Sequence, residues 1–290
     1  MPTSRQAVAQ LYNKIADYES TRLANHPMER ELTLRAIRQA LGVSDAAPTE
    51  RKRIADIGGG PGKIAFELAD QGHHVDLVDL SPELVLLAKA EQDRRNARTQ
   101  NQALLASISL GDALNETHLT NSSYDAVLLL GPLYHLLEET ERIQAVENVL
   151  NLAKPHGGLV VCAFVTKGAH LRDVAMREPE RLVKQKDFYA TYLNNGCYER
   201  LNETLEAKVQ SFHTDSSSIR QFFHQHFTDK AELISLRATE GILSGGLDAK
   251  LIDADPEVIR VWADLLFEQY SENEEYLGCA DHLLAILRKK

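Results

Sequence analysis

Apolar residues change their spacing twice along this 290-residue chain. Over residues 5–42 they recur at helical intervals. Ala7, Leu11, Ile15 and Tyr18 fall near one face, and Leu32, Leu34, Ile37 and Leu41 make a second pattern. His26-Pro27 separates the two, because proline disfavours helix in the residue before it. Two helices are expected, the second ending at Gly42 and followed by a polar linker, Ser44–Glu50. From residue 54 short apolar runs alternate with helical stretches. Ile54–Ile57 reads as a strand ending in glycines, Ile64–Ala69 as a helix stopped by Gly72, and Val75–Leu80 as a second strand. Ser81-Pro82-Glu83 opens the next helix with a cap, a proline at the first helical position and an acid at the positive end of the dipole. Leu104–Leu110, Tyr124–Leu130 and Leu159–Val165 are further strands, the last two apolar on both faces, as central parallel strands are. A helix around Glu141–Leu152 precedes Pro155 and the turn Gly157-Gly158.

This alternation predicts an α/β, doubly wound Rossmann-like sheet, since parallel neighbours need helical crossovers. After Thr166 the pattern changes. Residues 167–227 read as helical and polar, with the aromatics Phe188, Tyr189, Tyr192, Tyr198, Phe212, Phe222 and Phe223. Sheet character returns at Leu236–Ile242 and His282–Leu287, with a helix at Pro256–Tyr270 between. The expected organisation is an N-terminal helical lid (1–50), a core domain (51–166 and 228–290), and an inserted, mainly helical cap over the active site (167–227).

Charge narrows the choice of partner. The formal net charge is −10, and nucleic-acid binding draws much of its strength from neutralising phosphates, so DNA and RNA are not expected partners. Arg94, Arg95 and Arg98 read as a solvated helix end. The first residues lack the apolar core of a signal peptide, and no run matches the roughly 20 apolar residues of a membrane span. Cys162, Cys197 and Cys279 suit neither a zinc site nor a disulfide framework. A cytoplasmic monomer or homodimer acting on a small molecule is expected. No metal is expected: His224 and His226 face different sides of a helix.

The chemistry concentrates in Asp56-Ile57-Gly58-Gly59-Gly60-Pro61-Gly62, between a strand and a helix. Glycine lets a ligand approach the main chain, and open α/β sheets bind ligands beyond the carboxyl ends of their strands. A dinucleotide fingerprint needs a third glycine at residue 63, which is Lys63. Asp56, two residues before the first glycine, would repel a pyrophosphate but suits a ligand bearing an ammonium group. Asp79 ends the second strand, where an acid accepts from both ribose hydroxyls. Asp112, in Gly111-Asp112-Ala113, can accept from the amino group of adenine or cap a turn, and Leu80 and Ala113 offer apolar walls.

With these parts in register the chain resembles the class I S-adenosyl-L-methionine (SAM)-dependent methyltransferases. The matching stretches are DIGGGPG (56–62), VDLVDLSPE (75–83), GDA (111–113), YDAVLLLGPLYHL (124–136) and LAKPHGGLVV (152–161), with DHLLAILRKK (281–290) as a last strand. His156 interrupts the family's usual Pro-Gly-Gly turn. The resemblance implies that Asp56 and the backbone near Gly58 and Gly60 hold the methionine end. It implies that Asp79 binds ribose, Asp112 and Ala113 bind adenine, and Gly131 borders the sulfonium. Tyr134 and His135 lie where related enzymes face the acceptor, His135 as a general base or as a loop pin, Tyr134 against the sulfonium. Tyr12, Tyr18 and Arg22 sit on the segment that closes over the cofactor, with Arg22 available to the cofactor carboxylate.

The implied reaction is methyl transfer to an O, N or S atom of a small, specialised metabolite, leaving S-adenosylhomocysteine. Two alternatives keep the cofactor. One attacks its aminopropyl side, closing SAM to the four-membered azetidine-2-carboxylate and methylthioadenosine. The other is a non-catalytic SAM-binding module.

Overall fold

The computed structural model describes residues 4–43, 50–97, 103–115 and 117–290; most of the expected linker (44–49) and Arg98 lie outside them. The chain begins with three helices rather than two: α1 (Ser4–Lys14), α2 (Ala16–Arg22) and α3 (Pro27–Leu41). Ile15 divides the first expected helix by leaving helical geometry (φ −110°, ψ 16°). After the break Ala16 is buried, while Tyr18 turns outward and is 62% exposed. Pro27 takes the first position of α3, where its missing N–H is no loss, and Gly42 closes the helix in the left-handed region (φ 67°).

The expected alternation follows: β1 (Arg53–Ile57), α4 (Lys63–Asp70), β2 (His74–Asp79), α5 (Pro82–Ala97), β3 (Ser107–Leu110), β4 (Ala126–Leu129), α6 (Glu139–Leu152) and β5 (Leu159–Thr166). Parallel pairing gives the order β3-β2-β1-β4-β5. β3 is shorter than its apolar run because Leu105 is tied to α5, its N–H donating to Gln92 Oε1 at 2.7 Å. The two faces of the central strands build separate cores. Val127, Leu129, Val160 and Cys162 pack with α6, whereas Ala126, Leu128, Leu159 and Val161 pack with α3 and α4. Each fully buried Leu or Val contributes about 1.5–3 kcal/mol, which is why β4 and β5 tolerate no polar face.

Beyond β5 the expected helices are joined by a hairpin that the sequence pattern did not predict. α7 (Lys167–Arg177), α8 (Arg181–Lys184) and α9 (Lys186–Asn195) lead into a hairpin, β6 (Cys197–Asn202) and β7 (Ala207–Thr214), before α10 (Ser216–Phe227). β7 pairs in parallel with the end of β5 (Val165 with His213, Thr166 with Thr214), past the last register pair of β4 at Leu129 and Cys162. The polar sequence of this hairpin hid it, since its place is set by pairing with a distant strand rather than by local apolar alternation.

β8 (Ala231–Ala238), α11 (Pro256–Leu265), α12 (Glu274–Leu277) and β9 (His282–Lys289) complete the chain. α11 runs into a π-helical turn over Leu266–Tyr270. β9 lies antiparallel between β5 and β8. β8 starts and ends earlier than its expected span because Thr239 and Glu240 turn away to bond the start of β9. No helix among the described residues is long and apolar enough to cross a membrane.

Candidate active site

Strand order reverses at β1, with β2 on one side and β4 on the other, and the crevice beyond their carboxyl ends is the natural ligand site. There the glycine turn, α1–α3, the loop after β4 and the start of β9 enclose a cavity holding about 1360 Å3 with its mouth. The turn is shaped from below. Gly58 and Gly60 take positive φ (75° and 56°), and the Gly58 N–H donates to Val78 O of β2 at 2.7 Å.

Two acids sit under this turn. Asp56 is 2% exposed, and its Oδ1 makes no hydrogen bond. Burial, reinforced by nearby Asp79, pushes its carboxyl up to about 7. Asp79 is fixed at both oxygens: Oδ2 accepts the Gly60 N–H at 2.7 Å and Oδ1 the Ser81 N–H at 2.8 Å. Burial raises its carboxyl too, against the lowering effect of those two hydrogen bonds. Ser81 caps α5 through its hydroxyl, which also donates to Asn13 of α1 at 2.7 Å and so ties α1 to the end of β2.

Leu80, Gly111, Asp112 and Ala113 line the adjoining wall. Asp112 already accepts from Arg5 of α1 at 3.0 Å and from the Leu114 N–H at 3.0 Å. Its carboxylate thus both shapes its own turn and holds α1.

Gly131, Tyr134 and His135 follow β4 on a short turn, Pro132–His135, and all line the cavity. His135 has both ring nitrogens engaged: Nδ1 lies 3.2 Å from Gln210 O of β7, and Nε2 lies 2.8 Å from the Tyr12 hydroxyl. The Nδ1–H donates to the carbonyl, so Nε2 accepts from Tyr12. Burial pushes this imidazole down to about 4, against a small opposing effect of the Gln210 carbonyl. The geometry favours the loop pin over the general base. Arg142 secures the same loop, donating to Leu136 O and Leu137 O at 2.6 and 2.8 Å while its guanidinium lies 3.6 Å over the Phe212 ring.

The far end of the cavity carries charge that the sequence reading only touched. Arg22 is tied within the chain: Nη1 donates to both oxygens of Glu29 (2.8 and 2.7 Å) and Nε to Glu19 at 2.9 Å. Beyond Glu29 stands His282, whose Nδ1 donates to Glu240. For Glu29, burial works upward, but Arg22 and His282 outweigh it and hold the carboxyl at about 2. For His282, burial works downward, but Glu29 and Glu240 outweigh it and push the ring up to about 9. Arg22 and His282 offset part of the negative charge of Glu19, Glu29 and Glu240. Thr33, Ala163, Thr239 and Leu284 complete this end.

The structure therefore gathers Tyr12, Arg22, Asp56, Gly58, Gly60, Asp79, Leu80, Asp112, Ala113, Gly131, Tyr134 and His135 around one cavity, and leaves Tyr18 outside it. None of the 167–227 aromatics lines the cavity. Tyr189, Tyr192 and Tyr198 form their own buried cluster with Val174, and Phe223 joins the main core. The lining residues come from α1–α3 instead, because the apolar cap residues satisfy one another. His282 and Glu240 were missed; the available signal was a histidine opening an otherwise apolar terminal strand.

Known proteins share this fold. The profile of the methyltransferase domain family matches residues 54–157. A Geobacillus sp. (strain WCH70) protein, provisionally named a methyltransferase, is 32% identical over 111 residues, covering 38% of this chain and 41% of that protein. The chain thus spans about two fifths of the length of the curated relative it matches. Among solved structures, a SAM-dependent methyltransferase from Methanosarcina mazei superposes with a TM-score of 0.54 at 17% identity, over 84% of this chain and 94% of that one. Magnesium protoporphyrin IX methyltransferase from Synechocystis PCC 6803, with bound S-adenosylhomocysteine, gives a TM-score of 0.57 at 13% identity, over 99% and 100% of the two chains. At these identities the likeness is one of fold.

Proposed function

We propose that this chain is a class I SAM-dependent methyltransferase, a reading supported by the match of residues 54–157 to the methyltransferase domain family and by the shared fold, and that it transfers a methyl group from S-adenosyl-L-methionine to a small molecule bound in the same cavity. The observation that carries the reading is the continuity of that cavity. One end offers an orphaned buried carboxylate oxygen at Asp56 and a glycine turn open to a ligand. The other offers a half-buried polar set around Glu29 and His282.

The residues fit the cofactor on chemical grounds. Asp56 Oδ1, buried and unpaired, matches an ammonium group. Asp79 keeps free lone pairs on two oriented oxygens for ribose hydroxyls. Asp112, Ala113 and Leu80 offer one acceptor and two apolar surfaces for adenine. When bound, SAM supplies a methyl carbon activated by positive sulfur, so the protein's work is alignment and exclusion of water. Tyr12, Asn13 and Arg5 serve exclusion by holding α1 to the loop after β4, to Ser81 and to Asp112. Tyr134, whose hydroxyl makes no hydrogen bond among the described residues, presents an oriented phenol to whatever lies beside Gly131. The volume of the cavity, its cover of helices and the chain's net charge of −10 support a small metabolite over a nucleic acid.

The reading is tested by incubating the protein with SAM, alone and with a panel of small amines, phenols, carboxylic acids and thiols, and identifying products by mass spectrometry. S-adenosylhomocysteine and a methylated product, formed only with an acceptor, are expected. Methylthioadenosine from SAM alone would overturn methyl transfer in favour of ring closure, and binding without turnover of any kind would favour a non-catalytic module.

A further inference from the structure

The cavity holds two histidines, His135 and His282, and they differ in what their rings have left to do. His135 is saturated, with Tyr12 on Nε2 and the Gln210 carbonyl on Nδ1. His282 is held from one side only. Its Nδ1–H donates to Oε1 of Glu240, which is 3% exposed and is itself fixed by accepting the N–H groups of Asp281 and His282 on Oε2 at 3.2 and 3.1 Å. A buried, backbone-anchored carboxylate on Nδ1 sets both the ring orientation and the tautomer, leaving Nε2 as the working nitrogen. Among the described residues Nε2 has no hydrogen-bond partner, and the side chain, 23% exposed, faces the cavity.

We infer that Nε2 of His282, oriented by Glu240, accepts the proton that the acceptor loses on methylation, so that the acceptor attacks through a protic nitrogen or oxygen. This rests on the methyl-transfer reading above and deepens it by naming the nucleophile class. In the step, the N–H or O–H proton of the acceptor passes to neutral Nε2. The electron pair it leaves behind on nitrogen or oxygen supports bonding to the methyl carbon of SAM. The carbon–sulfur pair departs with sulfur as S-adenosylhomocysteine, and the imidazolium later releases its proton to water.

The groups facing the ring set its charge. Glu240 contacts Nδ1, Glu29 Oε2 of α3 lies 4.0 Å away, and Arg22 of α2 sits behind Glu29. His213 of β7 is a further neighbour, while adjacent Asp281 is paired with Arg172 at 2.6 Å. The two carboxylates favour the imidazolium in the free protein. A sulfonium charge in the same cavity disfavours it, so cofactor binding enlarges the share of neutral ring through which the step runs, and that share grows as pH rises.

The test follows the His282 ring by NMR of the full chain with 13C-labelled histidine, its signal assigned with His282→Gln, over pH 5–10. Spectra are compared for the free protein and with saturating S-adenosylhomocysteine or SAM, the two differing by the methyl group and its charge. Calorimetry in parallel confirms that each ligand binds. The free protein should titrate near 9. SAM should lower the midpoint relative to S-adenosylhomocysteine by about one pH unit, and Glu240→Gln should lower it by about as much without any ligand. Equal midpoints with both bound ligands, or no response to Glu240→Gln in a folded variant, would overturn the assignment while leaving the cofactor site standing. Failure of SAM to bind at all would remove the methyl-transfer reading and this inference with it.

Discussion

The pyrrolidine ring of Pro132 closes over Gly58 so tightly that a Cβ on Gly58 would lie 2.5 Å from Pro132 Cγ. Gly58 also needs its positive φ of 75°. Gly58→Ala therefore meets two obstacles, and Pro132 can yield only by moving the loop that carries Tyr134 and His135. Gly42 is the internal control: its φ is 67°, but nothing lies within 4 Å of a Cβ there. Gly42→Ala should cost only the left-handed penalty of about 1 kcal/mol. Gly58→Ala should cost at least about 2 kcal/mol and weaken SAM binding tenfold or more. Thermal melts and calorimetry on the pair check this, and equal losses would mean that the Pro132 contact is slack.

Asp56 illustrates a site kept at the expense of stability. An ordinary aspartate titrates at 3.8, whereas burial and Asp79 raise this one to about 7. The folded protein thus binds the proton more tightly than the unfolded chain, and the stabilisation present below about pH 4 is lost as pH rises through 7. Asp56→Asn, close in shape and uncharged, should make the protein more stable than wild type above pH 7 by about 1–3 kcal/mol, with the difference shrinking towards pH 4. The same variant should bind SAM more weakly, having lost the partner of the ammonium group. Urea unfolding at pH 5 and pH 8 reads the first effect, calorimetry the second.

Arg142 acts at a distance from the ligand. It is 5% exposed and donates to two carbonyls of the loop after β4. Arg142→Met keeps much of the volume over Phe212 but strands both carbonyls. A loss of about 2–4 kcal/mol in urea unfolding is expected, with weaker SAM binding as the loop loosens. A change below about 0.5 kcal/mol would show that water replaces the guanidinium without cost.

Where local pattern and tertiary outcome coincide, the sequence was readable. β4 and β5 are apolar runs buried on both faces, β1 and β2 carry apolar residues around buried aspartates, and the turn at Asp56–Gly62 carries its chemistry in consecutive residues. The hairpin at 197–214 was not readable, because polar strands such as Cys197–Asn202 owe their place to a partner strand distant in sequence. The far end of the cavity was hidden for a related reason. Arg22, Glu29, Glu240 and His282 come from α2, α3, the turn after β8 and β9, and only folding brings these four ordinary charged residues together. Arg22 shows the converse: its residue type suited a carboxylate, and the fold supplied one from within the chain.

The central claim is that this cavity binds SAM through the oriented carboxylate of Asp79, and titration calorimetry of SAM into wild type, Asp79→Ala and Asp79→Asn tests it most directly. Melting curves are needed alongside, because Asp79 also holds the N–H groups of Gly60 and Ser81. Saturable binding by wild type is predicted, weakened by at least about 1 kcal/mol in a folded Asp79→Ala, the scale of a lost charge-assisted hydrogen bond, and by less in Asp79→Asn. No binding by wild type, or unchanged affinity in a folded Asp79→Ala, would contradict the account.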